Sequence, residues 1–248
     1  MSKPTPGIQV IDRSSQLLDS IAACDEPVSL KILAADTGLH PSTAFRILAA
    51  LGGVGLVERD SAGHYMLGRK ILQLAGRVQR GVDIRQEAIE VMRSLRDQLS
   101  ETVNLTVREG DEVVYIERVT PQRMMRVEQV IGSRAPLHVT AVGKLMLGEL
   151  GDAFVRAYAT RTGLPAYTPH TLNSAEALRL AVNRAIIDGY AFDDEEAEEG
   201  VGCIGVLIRD RRGAVVAGLS VSAPIERRRD EWVSLVKQAG AAIAARLG

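Results

Sequence analysis

Short hydroxyl side chains and an arginine share one face of a helix predicted over residues 41–51. Hydroxyls such as those of Ser42 and Thr43 bind phosphate oxygens, and Arg46 could reach a guanine edge or a phosphate. The opposite face carries apolar residues at helical spacing: Ala44, Ile47, Leu48 and Leu51. The pattern predicts a helix that packs on one side and contacts DNA in the major groove with the other. The plainer interpretation of Arg46 is a solvated surface arginine.

Two further side chains that could contact DNA, Arg59 and His64, lie in a hairpin predicted directly after that helix. GLVER and HYMLG read as short strands around a turn at residues 60–63, which makes the hairpin a wing. Between Gly38 and Arg80 the chain has six basic and two acidic side chains, which favours an anionic partner. Together with the residue that precedes the helix, the candidate DNA contacts are His40, Ser42, Thr43, Arg46, Arg59 and His64.

A second set of reactive side chains lies near the other end of the chain. Ser220 and Ser222 alternate on a predicted strand, so both hydroxyls face one side and could donate to one anion. Cys203 with His138 or His170 could form a nucleophile and base, but no family signature flanks the cysteine. We therefore expect no catalytic residues. The plainer interpretation is that both serines lie on the solvent face of a strand and that Cys203 is a core residue.

Six carboxylates occupy residues 193–199 (DDEEAEE) without a basic residue among them. They could bind a cation or act as an acid and base pair, but such a run usually forms a solvated loop. The histidines and cysteines show no C-x-x-C or H-x-x-x-H spacing. We expect no metal and no cofactor.

Two domains are needed to position these groups, because 248 residues exceed the commonest domain size. Residues 14–23 predict a first helix that Ser14 or Ser15 caps. A second helix is expected from the Ser29 N-cap to Gly38. Two short helices joined by a tight turn, and followed by a hairpin, predict a winged helix-turn-helix over residues 1–68.

The rest of the chain predicts a linker and an α+β domain. Residues 69–82 read as a linker helix that Gly81 ends, and residues 83–248 form the second domain. Within it, strands are expected at 102–109, 112–119, 124–130, 201–210 and 214–223. Helices are expected at 84–101, 141–149, 152–160, 174–188 and 231–247. Antiparallel strands mixed with helices are typical of an α+β fold.

The composition is that of an ordinary globular protein, with 46% hydrophobic and 25% charged residues. Two widely separated cysteines, Cys24 and Cys203, form no disulfide framework and suit a reducing compartment. The sequence lacks an apolar run long enough to span a membrane, and its N-terminus (MSKPTPG) lacks the apolar core of a signal peptide. We expect a cytoplasmic protein that does not enter membranes.

Several phrases, in this order, resemble the IclR family of bacterial transcription regulators: LHVTAVGKLML (137–147), DDEE after DGYAF (193–196), VGCIGVLIRD (201–210) and GLSVSAP (218–224). The resemblance runs from about Val10 to Leu247. It implies a winged helix-turn-helix, a linker helix and a GAF/PAS-like α/β effector-binding domain. It also implies a homodimer or homotetramer that responds to a small organic acid.

The resemblance further implies an effector pocket made by Met124, Ala135, Ala141, Val142, Asp193, Val201, Cys203, Ser220 and Ser222. Free backbone N–H groups where the helix at Ala141 begins would favour a carboxylate. Met124, Val142 and Val201 would supply an apolar wall. Ala141 and Val142 stand where smaller residues are frequent in the family, which alters the size of the pocket.

The sequence therefore predicts a DNA-binding transcriptional repressor that a small organic acid controls, an aromatic or keto acid being a candidate. Its dimer would place two recognition helices in successive major grooves of a palindromic operator in double-stranded DNA. Two alternatives remain at this point: a ligand-sensing module without DNA binding, and a hydrolase on a sensor-like fold.

Overall fold

The computed structural model describes residues 8–24, 26–78 and 84–247. The chain divides into two compact units, residues 1–81 and 82–248. Among the helices within the described ranges, none is long and apolar enough to cross a membrane.

The first unit is a winged helix-turn-helix, as the sequence predicts. Its elements are α1 (Gln9–Ala22), α2 (Leu30–Asp36), α3 (Pro41–Gly53), β1 (Val57–Arg59), β2 (Tyr65–Leu67) and α4 (Lys70–Val78). Ser29 caps α2 by accepting the Ile32 N–H at 3.5 Å. Gly38 follows α2 with φ +64°, a conformation that glycine adopts without strain and that allows the tight turn into α3.

The start of α1 differs from the prediction. The helix begins at Gln9, so Ser14 and Ser15 lie inside it and cannot cap its first turn. Ser14 instead donates its hydroxyl to the Val10 carbonyl at 2.7 Å. Leu17 and Ile21 are the buried residues of α1, and they pack with α2 and α3 in the core of this unit.

The second unit contains α5 (Ile84–Leu99), α6 (Ala141–Glu149), α7 (Asp152–Thr162), α8 (Ala175–Asp188) and α9 (Trp232–Arg246). Its strands are β3 (Thr102–Glu109), β4 (Glu112–Val119), β5 (Arg134–Pro136), β6 (Ala191–Asp194), β7 (Val201–Arg209) and β8 (Val215–Pro224). In the described part of the chain these six strands form one antiparallel sheet in the order β5-β4-β3-β8-β7-β6. The unit is therefore α+β, as expected.

The two faces of this sheet differ in chemistry because successive strand residues point to opposite sides. One face is apolar and packs against α5 and α9 through residues such as Leu105, Ile204 and Val221. The other face lies under α6 and carries buried polar residues: Thr102, Asn104, Thr106, Cys203, Ser220 and Ser222. The serines thus lie in a polar layer inside the protein, and the interpretation that they face solvent is wrong.

One predicted strand is wrong, and the two short strands β5 and β6 were missed. Residues 124–130 form no strand and lie in the connection from β4 to β5. The strand β5, and not this segment, pairs with β4. The alternation of apolar residues there reflects no buried face, because Met124, Met125 and Val130 are exposed. The four-residue strand β6 gave no periodic signal of its own.

Part of the predicted organisation stays a prediction. The linker helix assigned to residues 69–82 contains α4, but the end assigned to Gly81 lies outside the described residues. The finer domain boundaries and the likeness to GAF/PAS domains also remain expectations.

Candidate functional site

The exposed face of α3 carries the predicted DNA-contacting residues. Within the first unit, Ser42 and Arg46 are exposed and Thr43 is half-buried. The opposite face of α3 is anchored in the core by Ala44, Ile47, Leu48 and Leu51. The first unit therefore leaves the polar face of this helix open to solvent.

His40 caps the N-terminus of α3. The Ser42 amide donates to His40 Nδ1 at 3.4 Å, and Ser42 Oγ lies 2.8 Å from the same nitrogen. Pro41 occupies the first turn, where its missing N–H leaves no helical hydrogen bond unmade. His40 and Ser42 thus form an N-cap that fixes the first turn of α3.

The wing is held by contacts among its own residues. Arg59 Nε donates to the Gly63 carbonyl at 2.8 Å, and its guanidinium lies 5.3 Å from the centroid of the Tyr65 ring. The His64 amide donates to Asp60 Oδ1 at 2.8 Å, and this bond lowers the pKa of Asp60. Gly63 has φ +90°, and a Cβ there would lie 2.8 Å from Arg59 Nη2. Arg59 and His64 therefore stand on a wing of defined shape.

The second candidate site lies on the polar face of the sheet in the second unit. Strand register places Asp193 beside Cys203, Cys203 beside Ser222, and Ser222 beside Thr102. Ser222 Oγ lies 3.2 Å from Cys203 Sγ and accepts from Asn104 Nδ2 at 3.1 Å. A row of polar side chains thus crosses four neighbouring strands.

The first turn of α6 covers this row. Thr140 caps the helix, its hydroxyl accepting the Gly143 N–H at 3.1 Å. The helix can approach the sheet because two sheet residues, Gly205 and Gly218, have no side chain. A Cβ on Gly205 would lie 2.9 Å from the Val142 nitrogen, and one on Gly218 would lie 2.8 Å from Val142 Cβ. The backbone at the start of α6 therefore approaches the sheet as closely as packing allows.

A cavity of about 60 Å³ remains between this helix start and the sheet. Seven of the nine expected pocket residues line it: Ala135, Ala141, Val142, Asp193, Val201, Cys203 and Ser220. Ser222 is buried next to Cys203 but does not line the cavity, and Met124 is fully exposed on the β4–β5 connection. The structure thus brings together most of the set that the resemblance implies.

The cavity also has walls that the sequence did not single out: Tyr115, Gln129, Thr140, Ala197 and Glu198. Behind the wall, the Lys144 ammonium pairs with Glu196 in a buried ion pair. The interpretation of residues 193–199 as a solvated loop is therefore wrong for Asp193 and Glu196, which are both buried. A lysine inside the apolar phrase LHVTAVGKLML was the one available signal that a buried partner was needed.

Burial decides the protonation of the groups in the cavity wall. It raises the pKa of the Asp193 carboxyl, although Lys144 and the Glu196 amide oppose the shift. It also raises the pKa of the Cys203 thiol and of the Tyr115 hydroxyl. The thiol and the phenol therefore face the cavity in their neutral forms.

The nucleophile and base pair considered for Cys203 and His138 is not assembled. His138 Nδ1 lies 2.8 Å from the Tyr158 hydroxyl and Nε2 lies 3.1 Å from the Pro165 carbonyl. Both ring nitrogens are thus engaged away from Cys203, whose side-chain neighbour is Ser222. Within the described residues, no group of three or more His, Cys, Asp or Glu side chains could hold a metal.

Comparison with known proteins places both units in one family. Residues 77–245 match the model of the bacterial transcriptional regulator IclR C-terminal domain, and residues 10–61 match that of the IclR helix-turn-helix domain. The chain is 32% identical to the HTH-type transcriptional regulator XynR of Escherichia coli over 98% of both chains. It is 31% identical to the transcriptional repressor IclR of the same organism, over 93% of this chain and 85% of that protein.

Solved structures agree with this assignment. A crystal structure of an IclR homolog from Microbacterium hydrocarbonoxydans, complexed with 4-hydroxybenzoate, covers 96% of this chain and 98% of its own, with a TM-score of 0.85 and 26% identity. The Thermotoga maritima IclR structure covers 98% of this chain and 100% of its own, with a TM-score of 0.77 and 27% identity. The chain belongs to the IclR family of bacterial transcriptional regulators.

Proposed function

We propose that this chain represses transcription by binding an operator through α3 and the wing, and that a small organic acid in the cavity of the second unit controls this binding. The observation that carries the proposal is the open polar face of α3, where Ser42 and Arg46 are exposed while the other face is buried. Repression is inferred because relatives such as the E. coli proteins IclR and AllR are named repressors.

The geometry of the first unit supports a specific set of DNA contacts. Arg46 would read a base edge or a phosphate, Ser42 and Thr43 would bind phosphates, and the wing would bring Arg59 and His64 to the flanking backbone. His40 fixes the first turn of α3 and would be a further candidate for a phosphate contact at that turn. A homodimer, or a tetramer built from two dimers, would present two such helices to a palindromic site, in the cytoplasm where the DNA lies.

The acid would bind where the start of α6 meets the polar face of the sheet. Backbone N–H groups at Ala141 and Val142 and the Ser220 hydroxyl are donors suited to a carboxylate. The Microbacterium homolog was crystallised with an aromatic acid. The cavity here, about 60 Å³, has room for a few water molecules and thus suits a short-chain acid better than an aromatic one. This function requires no catalytic step.

A gel-shift assay with the DNA upstream of the chain's own gene tests the proposal. We expect Arg46→Ala to abolish the shift, and Arg211→Ala, which removes the same charge from an exposed turn of the second unit, to leave it intact. Raising salt from about 50 mM to about 200 mM should weaken binding by orders of magnitude, because phosphate contacts release counterions. A short-chain acid should release the DNA from the unmodified chain but not from Ser220→Ala/Ser222→Ala.

Both alternatives, a sensing module without DNA binding and a hydrolase on a sensor-like fold, predict no shift in this assay. No binding to upstream DNA at low salt, with or without acids, would therefore support one of these two alternatives. Equal shifts for Arg46→Ala and Arg211→Ala would show that the chain contacts DNA through residues outside α3. A normal acid response from the double serine variant would mean that the effector binds elsewhere.

A further inference from the structure

The cavity proposed to take an organic anion has an acidic wall. Of the described residues that line it, two are carboxylates, Asp193 and Glu198, and none is basic. Asp193 is 3% exposed, so water screens little of its charge. An anion in this cavity would therefore lie against a buried carboxylate, which costs free energy unless one of the two is neutral.

The nearby cations do not remove this conflict. The Lys144 ammonium is paired with the buried carboxylate of Glu196. Arg228 binds the carboxylate of Asp194 and donates to the backbone carbonyl of Asp193 at 3.5 Å. Both of these cations thus already have a carboxylate partner of their own.

The other groups that face the Asp193 carboxyl carry no positive charge. Asp193 Oδ1 accepts the Glu196 amide at 2.9 Å. The Cys203 thiol on β7 and the Tyr115 phenol on β4 face the same carboxyl, and burial raises the pKa of both. These contacts hold the carboxyl in place without supplying a positive charge to balance a second anion.

We propose that a small organic anion enters this cavity together with one proton, which the Asp193 carboxyl holds while the anion is bound. The proton comes from solvent and converts Asp193 from a repelling carboxylate into a carboxylic acid that can donate a hydrogen bond to the anion. Burial already raises the pKa of Asp193, so the protonated form is accessible before the anion arrives. The inference rests on the proposed effector function and makes the response of the regulator depend on pH.

The linkage has a definite sign. A carboxyl whose pKa rises when the anion binds takes up a proton, so binding weakens as pH rises above the value at which Asp193 titrates in the free protein. In that range the Kd increases by about tenfold per pH unit, provided that the pKa in the complex is higher still. Asp193→Asn keeps the shape and a donor but has no charge to neutralise, so its Kd should not change with pH.

Calorimetric titration of the full chain with acetate, glycolate and lactate, from about pH 6 to about pH 9, measures this dependence. Repeating each titration in two buffers of different ionisation enthalpy gives the number of protons taken up. We expect this number to approach one for the unmodified chain and for Glu199→Gln, which neutralises an exposed carboxylate of the same segment. For Asp193→Asn we expect no uptake.

Carbon-13 NMR of the unmodified chain provides a second measurement that does not depend on the folding of any variant. Saturating acid should move the Asp193 carboxyl signal to its protonated position. Acid binding without proton uptake, or an equal pH dependence in Asp193→Asn, would overturn this inference and leave the proposed effector function standing. If none of the acids bound at any pH, the proposed effector class itself would fail, and this inference with it.

Discussion

Lys144 and Glu196 show how strongly the second unit depends on a few buried charges. Lys144 is 3% exposed and its ammonium contacts Glu196 Oε1, while Glu196 Oε2 is buried and has no hydrogen-bond partner among the described residues. Burial raises the pKa of Glu196, and Lys144 opposes that shift. The Lys144 ammonium therefore stabilises the charged form of a carboxyl group whose charge burial disfavours, and removing either partner leaves the other buried without a counter-ion.

Replacing Lys144 by methionine should destabilise the second unit by about 3–5 kcal/mol, because the Glu196 charge is left buried and unpaired. Urea unfolding at about pH 5 and about pH 8 measures the effect. Without Lys144 the pKa of Glu196 rises further above its unfolded value, so stability is lost as pH rises through the folded value and the deficit is larger at the higher pH.

Two variants separate this charge effect from lost packing. Lys144→Met/Glu196→Gln removes both charges and should recover most of the lost stability. Lys31→Met makes the same replacement at an exposed position of α2 and should change stability by less than about 0.5 kcal/mol. If the double variant were no more stable than Lys144→Met, the buried charge would not be the cause.

At the scale of elements, local sequence patterns predicted most of the helices and strands. The candidate site could not be predicted in this way, because it depends on contacts between residues that are far apart in the chain. Spacing gave α6 from Ala141 to Glu149 and the strands β3 and β4, because each has a repeating apolar face. Asn104 donates a hydrogen bond to Ser222 because β3 pairs with β8, although the two strands are more than a hundred residues apart in the chain. The acidic run at 193–199 was misread for the same reason, since Lys144 is its distant partner.

The element that shapes the cavity is the first turn of α6, and its position depends on the glycines of the sheet. Gly205→Ala would place a Cβ 2.8 Å from Val142 Cγ1 and 2.9 Å from the Val142 nitrogen. The backbone of Val142 cannot move aside as easily as the end of a flexible side chain. We therefore expect Gly205→Ala to destabilise the protein by about 1–3 kcal/mol and to abolish acid binding. Thermal unfolding and calorimetric titration measure the two effects.

Gly53→Ala is the matched control for that substitution. A Cβ at Gly53 meets nothing within 4 Å, and alanine favours the helical backbone of α3 over glycine by up to about 1 kcal/mol. The control should therefore leave stability unchanged or raise it, without affecting acid binding. Acid binding by Gly205→Ala at the level of the unmodified chain would show that the α6 turn does not position the ligand.

At the scale of the whole molecule, each of the two units has buried hydrophobic residues of its own. The first unit is built around Leu17, Leu33 and Leu48, and the second around the sheet with α5 and α9. A core of its own allows a unit to unfold on its own. The function proposed for this regulator uses that division, because one unit binds DNA and the other the acid.

Leu48→Ala in the full chain tests whether the two cores are energetically separate. Leu48 is 1% exposed, so the cavity left by its side chain should destabilise the first unit by about 2–5 kcal/mol. Hydrogen exchange should then lose protection in α1 to α3 and keep it in β7 and β8, and acid binding should survive the loss of DNA binding. Leu180→Ala, at a position of α8 that is 57% exposed, should change neither. Equal loss of protection in β7 and β8 would mean that the units unfold as one, and that a signal could pass between them by shared stability alone.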